Sequence, residues 1–164
     1  MPLSGRFYRI TFAGDASRVL GGVIHPEGRF HHDGQPAFYA SPTSQAAAIA
    51  VATYVKPDDA PRVLIPLKIS AAKVFDLRNP ETCASLGIEA HTPSVKWAEQ
   101  RAKGEPATSW QASDAARKYG ADGMIYTSRK DPNRWHIVLF NWNTTHGAQV
   151  RTAGTPERFV PESS

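Results

Sequence analysis

RVLIPLKISAAKVFDL, residues 62–77, decides the fold class. RVLIPLKI (62–69) is dense in branched apolar residues and reads as a strand, and KVFDL (73–77) reads as a second one directly after it. The few residues between them cannot hold a crossover helix. Pro66 inside the first run predicts an edge position or a bulge, because proline has no N–H to give to a ladder. The same strand-after-strand pattern returns near the end, where GMIYTS (123–128) and RWHIVLFNW (134–142) flank the polar turn RKDPN.

Outward from these pairs, RFYRITF (6–12) reads as a first strand and FYAS (38–41) as a short one, with glycine-containing loops between them. Ser41–Ser44 is a helix entry, and the run from Gln45 to Tyr54 is almost wholly Ala, Ile and Val. Without a polar face it predicts a buried helix, stopped by Pro57. Three short helices are punctuated by Asn79-Pro80 to Gly87, by Thr92-Pro93 to Gly104, and by a capping box of Thr108 and Gln111 closing at Gly120. Strands and helices do not alternate regularly, which argues against a doubly wound parallel sheet. The prediction is an α+β domain over residues 6–152, built on short, mostly antiparallel strands with flanking helices. Residues 1–5 and 153–164 are expected to be flexible termini.

A chain of 164 residues with 41% hydrophobic content is enough for one packed core. Cys83 is the sole cysteine, so an intrachain disulfide and a thiolate zinc cluster are excluded. MPLSGRFYRITF lacks the features of a signal peptide, and no apolar run reaches membrane-spanning length. A cytoplasmic location is expected. The net charge of +4 is spread along the chain without a basic block. It suits an anionic small ligand or an acidic protein partner as well as it suits nucleic acid.

Dinucleotide-binding, P-loop, zinc-protease and nucleophile-elbow motifs are all absent. What remains is GRFHHDGQPAFYAS (28–41), in which glycines flank Arg29. It reads either as a polar surface turn or as a hinged loop presenting a guanidinium, whose planar donors suit phosphate oxygens. His31 and His32 are adjacent in an extended segment and point to opposite faces. Tyr39 alone reads as a core aromatic, and Ser128 as a turn former after its strand.

Taken together, these blocks resemble the RES-domain toxins of bacterial toxin–antitoxin pairs. GRFHHDGQPAFYAS before an Ala-rich helix, DLRNP, the early YRI (8–10) and GADGMIYTSRKDPNRWHIVLFN occur in the family's order over roughly residues 6–145. The resemblance implies an ADP-ribosyltransferase-like core that takes NAD as substrate, uses no metal, and breaks the nicotinamide–ribose bond. ADP-ribose would pass to a protein acceptor, or to phosphate or water. A helix-turn-helix antitoxin of the Xre type would be the partner, with no direct contact to nucleic acid or membrane. Carried onto this chain, the motif Arg is Arg29, the motif Tyr is Tyr39, the motif Ser is Ser128 and the early strand Arg is Arg9.

The chemistry implied needs a pyrophosphate clamp, an aromatic wall and a carboxylate near the developing ribosyl cation. Arg29 and Arg9 fit the first need, with His31 beside them, and Tyr39 fits the second. Ser128 fits a hydrogen bond to ribose or amide. The family's Glu belongs on the helix after the Tyr strand, but Ala50 stands at that position. Three explanations stay open. Glu27, Asp33, Asp58 or Glu89 could supply the acid, the position could have been altered to permit expression, or the domain could bind NAD without efficient turnover. A metal-free endoribonuclease using His31 or His32 with His136 or His146 is the alternative enzyme, and an inactive antitoxin-binding domain is the non-enzymatic one.

Overall fold

The computed structural model describes residues 1–161. Two four-stranded sheets face each other, each assembled from distant parts of the chain. The first is β1 (Leu3–Phe12), β3 (Arg62–Ala71) and β7 (Gln149–Thr152) in that order, with β8 (Glu157–Phe159) also paired to β3. The second runs β2 (Phe38–Ala40), β6 (Trp135–Leu139), β5 (Gly123–Thr127), β4 (Val74–Asp76). Every pairing is antiparallel except β4 with β5. The α+β class and the mostly antiparallel strands agree with the sequence.

Alternation along the second sheet divides the core in two. Ile125, Ile137 and Leu139 point to the first sheet and meet Phe7, Ile65, Leu67 and Ile69. Met124, Tyr126, Val138 and Phe140 point the other way, onto α2 (Pro80–Ser85), α4 (Trp110–Lys118) and Phe30. Being covered on both faces, β5 and β6 are mostly apolar, which is why their sequences are near-continuous hydrophobic runs. A 3₁₀ turn at Ala13–Gly21 and the helices α1 (Ser44–Val51) and α3 (Trp97–Ala102) complete the structure.

Several expectations need correction. β3 is a central strand, not an edge. It tolerates Pro66 because β8 covers Arg62–Leu64 and β7 covers Leu67–Ser70, so Pro66 falls in the gap between them. There its carbonyl still accepts from the Ala153 N–H at 2.8 Å. Residues 3–5 and 157–159, expected to lie outside the folded domain, both pair with β3. Residues 162–164 of the expected C-terminal tail lie outside the described residues.

The Ala-rich helix is half-exposed rather than buried. Only Ala46 and Ala47 are fully covered, and Ala50 is exposed. The Thr92–Gly104 helix is split by extended Val95 into a 3₁₀ turn at Thr92–Ser94 and α3. Thr108 forms no capping box. It is paired with Gln100 instead, accepting from Nε2 at 2.6 Å and donating its N–H to Oε1 at 2.7 Å.

Candidate functional site

The arm Gly28–Gln35 carries Arg29 across the outer face of the second sheet, and α4 holds it carbonyl by carbonyl. Trp110 Nε1 donates to Gly28 O at 2.8 Å, Ser109 Oγ to Arg29 O, and Arg117 Nη1 to Phe30 O at 3.0 Å. Consecutive backbone acceptors fixed by three side chains make a rigid mount rather than a mobile loop. Gly28 is required by close approach, since a Cβ there would lie 2.4 Å from His31 Cε1. The arm reverses at Asp33-Gly34, where both residues have positive φ of 53° and 75°.

Tyr39 fixes the arm from below. Its hydroxyl accepts the Phe30 N–H at 2.9 Å and is 2.8 Å from His31 Nδ1. His31 Nε2 lies 3.0 Å from His25 O, an acceptor only, so Nε2 carries the proton and Nδ1 accepts from Tyr39. Burial lowers the His31 pKa and raises that of Tyr39, which keeps both neutral as this network requires. Tyr39→Phe would leave the Phe30 N–H and His31 Nδ1 unpaired. The expected cost is about 1–3 kcal/mol in stability, read as a lower melting temperature.

Arg29 lies directly over Tyr126, and Arg9, beside Phe38, is near enough to act on the same phenol through space. The Arg29 guanidinium lies 4.7 Å from the Tyr126 ring and 4.8 Å from Phe30, with Nε and Nη2 donating to Pro93 O at 3.2 and 2.7 Å. Arg9 Nη1 donates to Tyr39 O at 2.7 Å beside the Phe38 ring. Burial lowers both pKa values, that of Arg29 to about 10, which leaves Arg29 charged at neutral pH. Arg129 and Lys130 approach from the β5–β6 turn, Arg129 lowering Arg29 and Lys130 donating to Ile49 O at 3.2 Å. Among the described residues no carboxylate lies within ion-pair distance of any of these four cations. Buried charge without a counter-ion is costly unless a ligand supplies one.

Ser128 sits at the end of β5, buried, and its Oγ accepts from the Lys130 and Asp131 N–H groups at 3.3 Å each. It forms the turn and keeps its hydroxyl proton for another acceptor. Ser41 Oγ and His136 Nδ1 are 2.8 Å apart, and both belong to the same end of this sheet. Tyr126, Ser41, Arg129 and Lys130 were not singled out in the sequence. Alternation along GMIYTS would have put Tyr126 and Ser128 on one face, but which face mattered depended on the arm.

The four candidate acids do not join the cluster. Glu27 pairs with Arg101 at 2.9 Å, Asp33 with His32 at 2.6 Å and Glu89 with His91 at 3.2 Å, while Asp58 is exposed. Nor does a histidine pair for RNA cleavage form, because both His31 nitrogens are occupied and His32 is taken up by Trp110 and Asp114. His32 faces away from His31, stacks on Trp110 at 4.5 Å and bonds Asp114 at 2.8 Å. Burial works against its charge, but the hydrogen bonds to Asp33 and Asp114 prevail and raise its pKa. A cavity of about 340 Å³ opens beside it, lined by His32, Thr108, Trp110 and Asp114 but by none of the cluster.

Burial, with Arg29 and Lys130 adding repulsion, lowers the His136 pKa to about 4. A histidine lowered in the folded state stabilises fully above its unfolded value near 6.5, and the contribution is lost as pH falls toward 4. His31 has the same sign and His32 the opposite one. Wild type should therefore lose on the order of 3 kcal/mol through His136 between those limits. Comparing denaturant midpoints from pH 7 to 4 should show a shallower fall in His136→Gln; parallel curves would exclude this contribution.

No helix is long and apolar enough to cross a membrane among the described residues. No curated protein matches the chain by sequence. Among solved structures, a chain of the M. tuberculosis MbcT–MbcA toxin–antitoxin complex superposes with a TM-score of 0.60 at 19% identity, covering 98% of this chain and 87% of that one. That likeness establishes the shared fold. The family match is to the RES domain and extends over residues 6–162, from the strand that carries Arg9, through the Arg29 arm and Ser128, to the strands that close on β3. The chain belongs to the RES domain family.

Proposed function

We propose that this protein is the toxin of a toxin–antitoxin pair and that it binds NAD and breaks the nicotinamide–ribose bond. The observation that carries this reading is two half-buried guanidiniums, Arg29 over Tyr126 and Arg9 beside Phe38, neither with a carboxylate partner among the described residues. A pyrophosphate offers two adjacent anionic groups, which suit the free Nε–Nη2 edge of Arg9 together with Nη1 of Arg29. Arg29 Nη1 and the Nε and Nη2 of Arg9 have no acceptor among the described residues and are the donors for it.

With the pyrophosphate clamped, the Ser128 hydroxyl, whose proton is free for an acceptor, holds the ribose or the amide in this reading. Tyr39 keeps Arg29 in position through the arm, and its backbone carbonyl accepts from Arg9. Leaving nicotinamide withdraws an electron pair from ribose C1′, and ADP-ribose passes to a protein acceptor, phosphate or water. The antitoxin proposal draws on family membership and on the toxin–antitoxin complex that shares the fold. An Xre-type helix-turn-helix protein and a cytoplasmic setting belong to the same proposal. Incubating the protein separately with NAD and with RNA, and following each by mass, should show free nicotinamide and intact RNA. Cleaved RNA with untouched NAD would reverse the assignment.

A further inference from the structure

The proposed chemistry lacks an acid–base group, and the face that bears Arg29 contains one unassigned candidate. Tyr39 and Ser41 on the β2 segment, Tyr126 and Ser128 on the β5 segment, and His136 on β6 share the outer face of the second sheet, by strand alternation. Ser41, Ser128 and His136 cluster at one end of it, where β5 ends, β6 begins and β2 ends. His136 is directly opposite Tyr126, ring centroids 5.6 Å apart, and Arg29 lies over that same Tyr126 ring.

His136 is only 5% exposed, and Ser41 Oγ is the partner of its Nδ1. Its Nε2 has no partner among the described residues, yet no fully buried side-chain nitrogen or oxygen is left unpaired. The small exposure of His136 therefore includes Nε2. A ring locked on one nitrogen and open on the other is a positioned proton acceptor. The Ser41 hydroxyl has no other side-chain partner and can accept Nδ1–H, which turns the Nε2 lone pair outward.

We propose that His136, oriented by Ser41, takes the proton of the nucleophile that attacks ribose C1′, the task for which α1 provides no carboxylate. The proposal rests on the NAD reading above. In the step, the C1′–N bond breaks and its electron pair leaves with nicotinamide, cancelling the pyridinium charge. A C1′–O bond forms to the acceptor hydroxyl, water or phosphate oxygen, and a proton carried by that nucleophile moves to Nε2 and then to solvent. The groups facing His136 are Arg29 from the arm, Lys130 from the turn, Tyr126 from β5 and Ser41 after β2. The two cations disfavour its protonation in the free protein. A bound pyrophosphate, with its negative charge beside Arg29, offsets them and makes the imidazole a better base once substrate is in place.

The test is nicotinamide release by wild type, His136→Gln and Ser41→Ala as a function of pH. His136→Gln should lower kcat roughly a hundredfold with KM for NAD changed by less than about threefold, and should lose the acid limb of the profile. Ser41→Ala should show a smaller loss, roughly tenfold, with the limb retained but displaced. In wild type, the acid limb of kcat should lie above that of kcat/KM, because the first reports the complex and the second the free enzyme. Ring NMR of wild type should show the His136 titration moving upward when inorganic pyrophosphate is added. That measurement also decides the matter if His136→Gln does not fold. A folded His136→Gln with wild-type kcat at every pH, or a His136 ring indifferent to pyrophosphate, overturns the proposal while leaving NAD cleavage standing. Absence of nicotinamide release by wild type itself overturns the NAD reading and this one together.

Discussion

Arg29→Ala should reduce NAD turnover by roughly thirty- to a thousandfold, the equivalent of about 2–4 kcal/mol for a lost charge-assisted contact. The fold should survive, because the carbonyls of the arm are held by Ser109, Trp110 and Arg117 and not by the Arg29 side chain. A small drop in melting temperature is expected from losing the stack on Tyr126 and the bonds to Pro93 O. Arg29→Lys should rescue poorly, since an ammonium cannot keep two donors on Pro93 O and still present a third to the ligand. Nicotinamide release by Arg29→Ala at the wild-type rate would remove Arg29 from the site.

Ala50→Glu should raise turnover, by ten- to a thousandfold on the order of what single transition-state electrostatic contacts contribute. The structure removes the main objection to the substitution. Ala50 is exposed on α1, so a carboxylate there is solvated and does not meet the penalty of a buried charge. Lys130 Nζ already sits on the neighbouring Ile49 carbonyl and offers a counter-ion. The position is in the last turn of α1, where a negative charge opposes the helix dipole, so a loss of about 0.3–1 kcal/mol is expected in the absence of that ion pair. NAD loss and melting temperature measured on both proteins decide it. A stable Ala50→Glu protein no more active than wild type would contradict either the position or the carboxylate's role. Because His136 is proposed to serve as the base in its absence, the gain should persist in part when His136 is also replaced by Gln.

The strands of greatest apolar density were legible in the sequence because packing and local preference agree there. The expected ends of β3 and β5 lie within a residue or two of the strands, while β6 begins one residue later and ends three residues earlier than its apolar run. β7 and β8 were not, since Gln149–Thr152 and Glu157–Phe159 are largely exposed and owe their strand form to the open edge of β3. Pro66 misled for a related reason: its tolerance depends on a gap between two partners that no local pattern announces. The Ala-rich helix looked buried because small apolar residues carry no label distinguishing a covered face from a bare one.

At the site, Arg29 was legible through its glycine-flanked arm, while its anchors lie about eighty residues away, at Ser109 just before α4 and at Trp110 and Arg117 on it. Tyr39 looked like an aromatic wall, and only the hydrogen bonds to Phe30 and His31 reveal what its hydroxyl does. Tyr126 and His136 become neighbours through the β5–β6 register, and Ser41 joins them through β2. Neither of these meetings leaves a trace in residue spacing.

The central claim is that the unpaired arginines Arg9 and Arg29 exist to hold the pyrophosphate of NAD. Calorimetric titration of the wild-type protein with NAD at fixed ionic strength tests it most directly. The account predicts saturable one-to-one binding that inorganic pyrophosphate competes away, weakened roughly thirtyfold or more in Arg29→Ala. No binding heat at millimolar NAD, or binding that pyrophosphate leaves untouched, would contradict it.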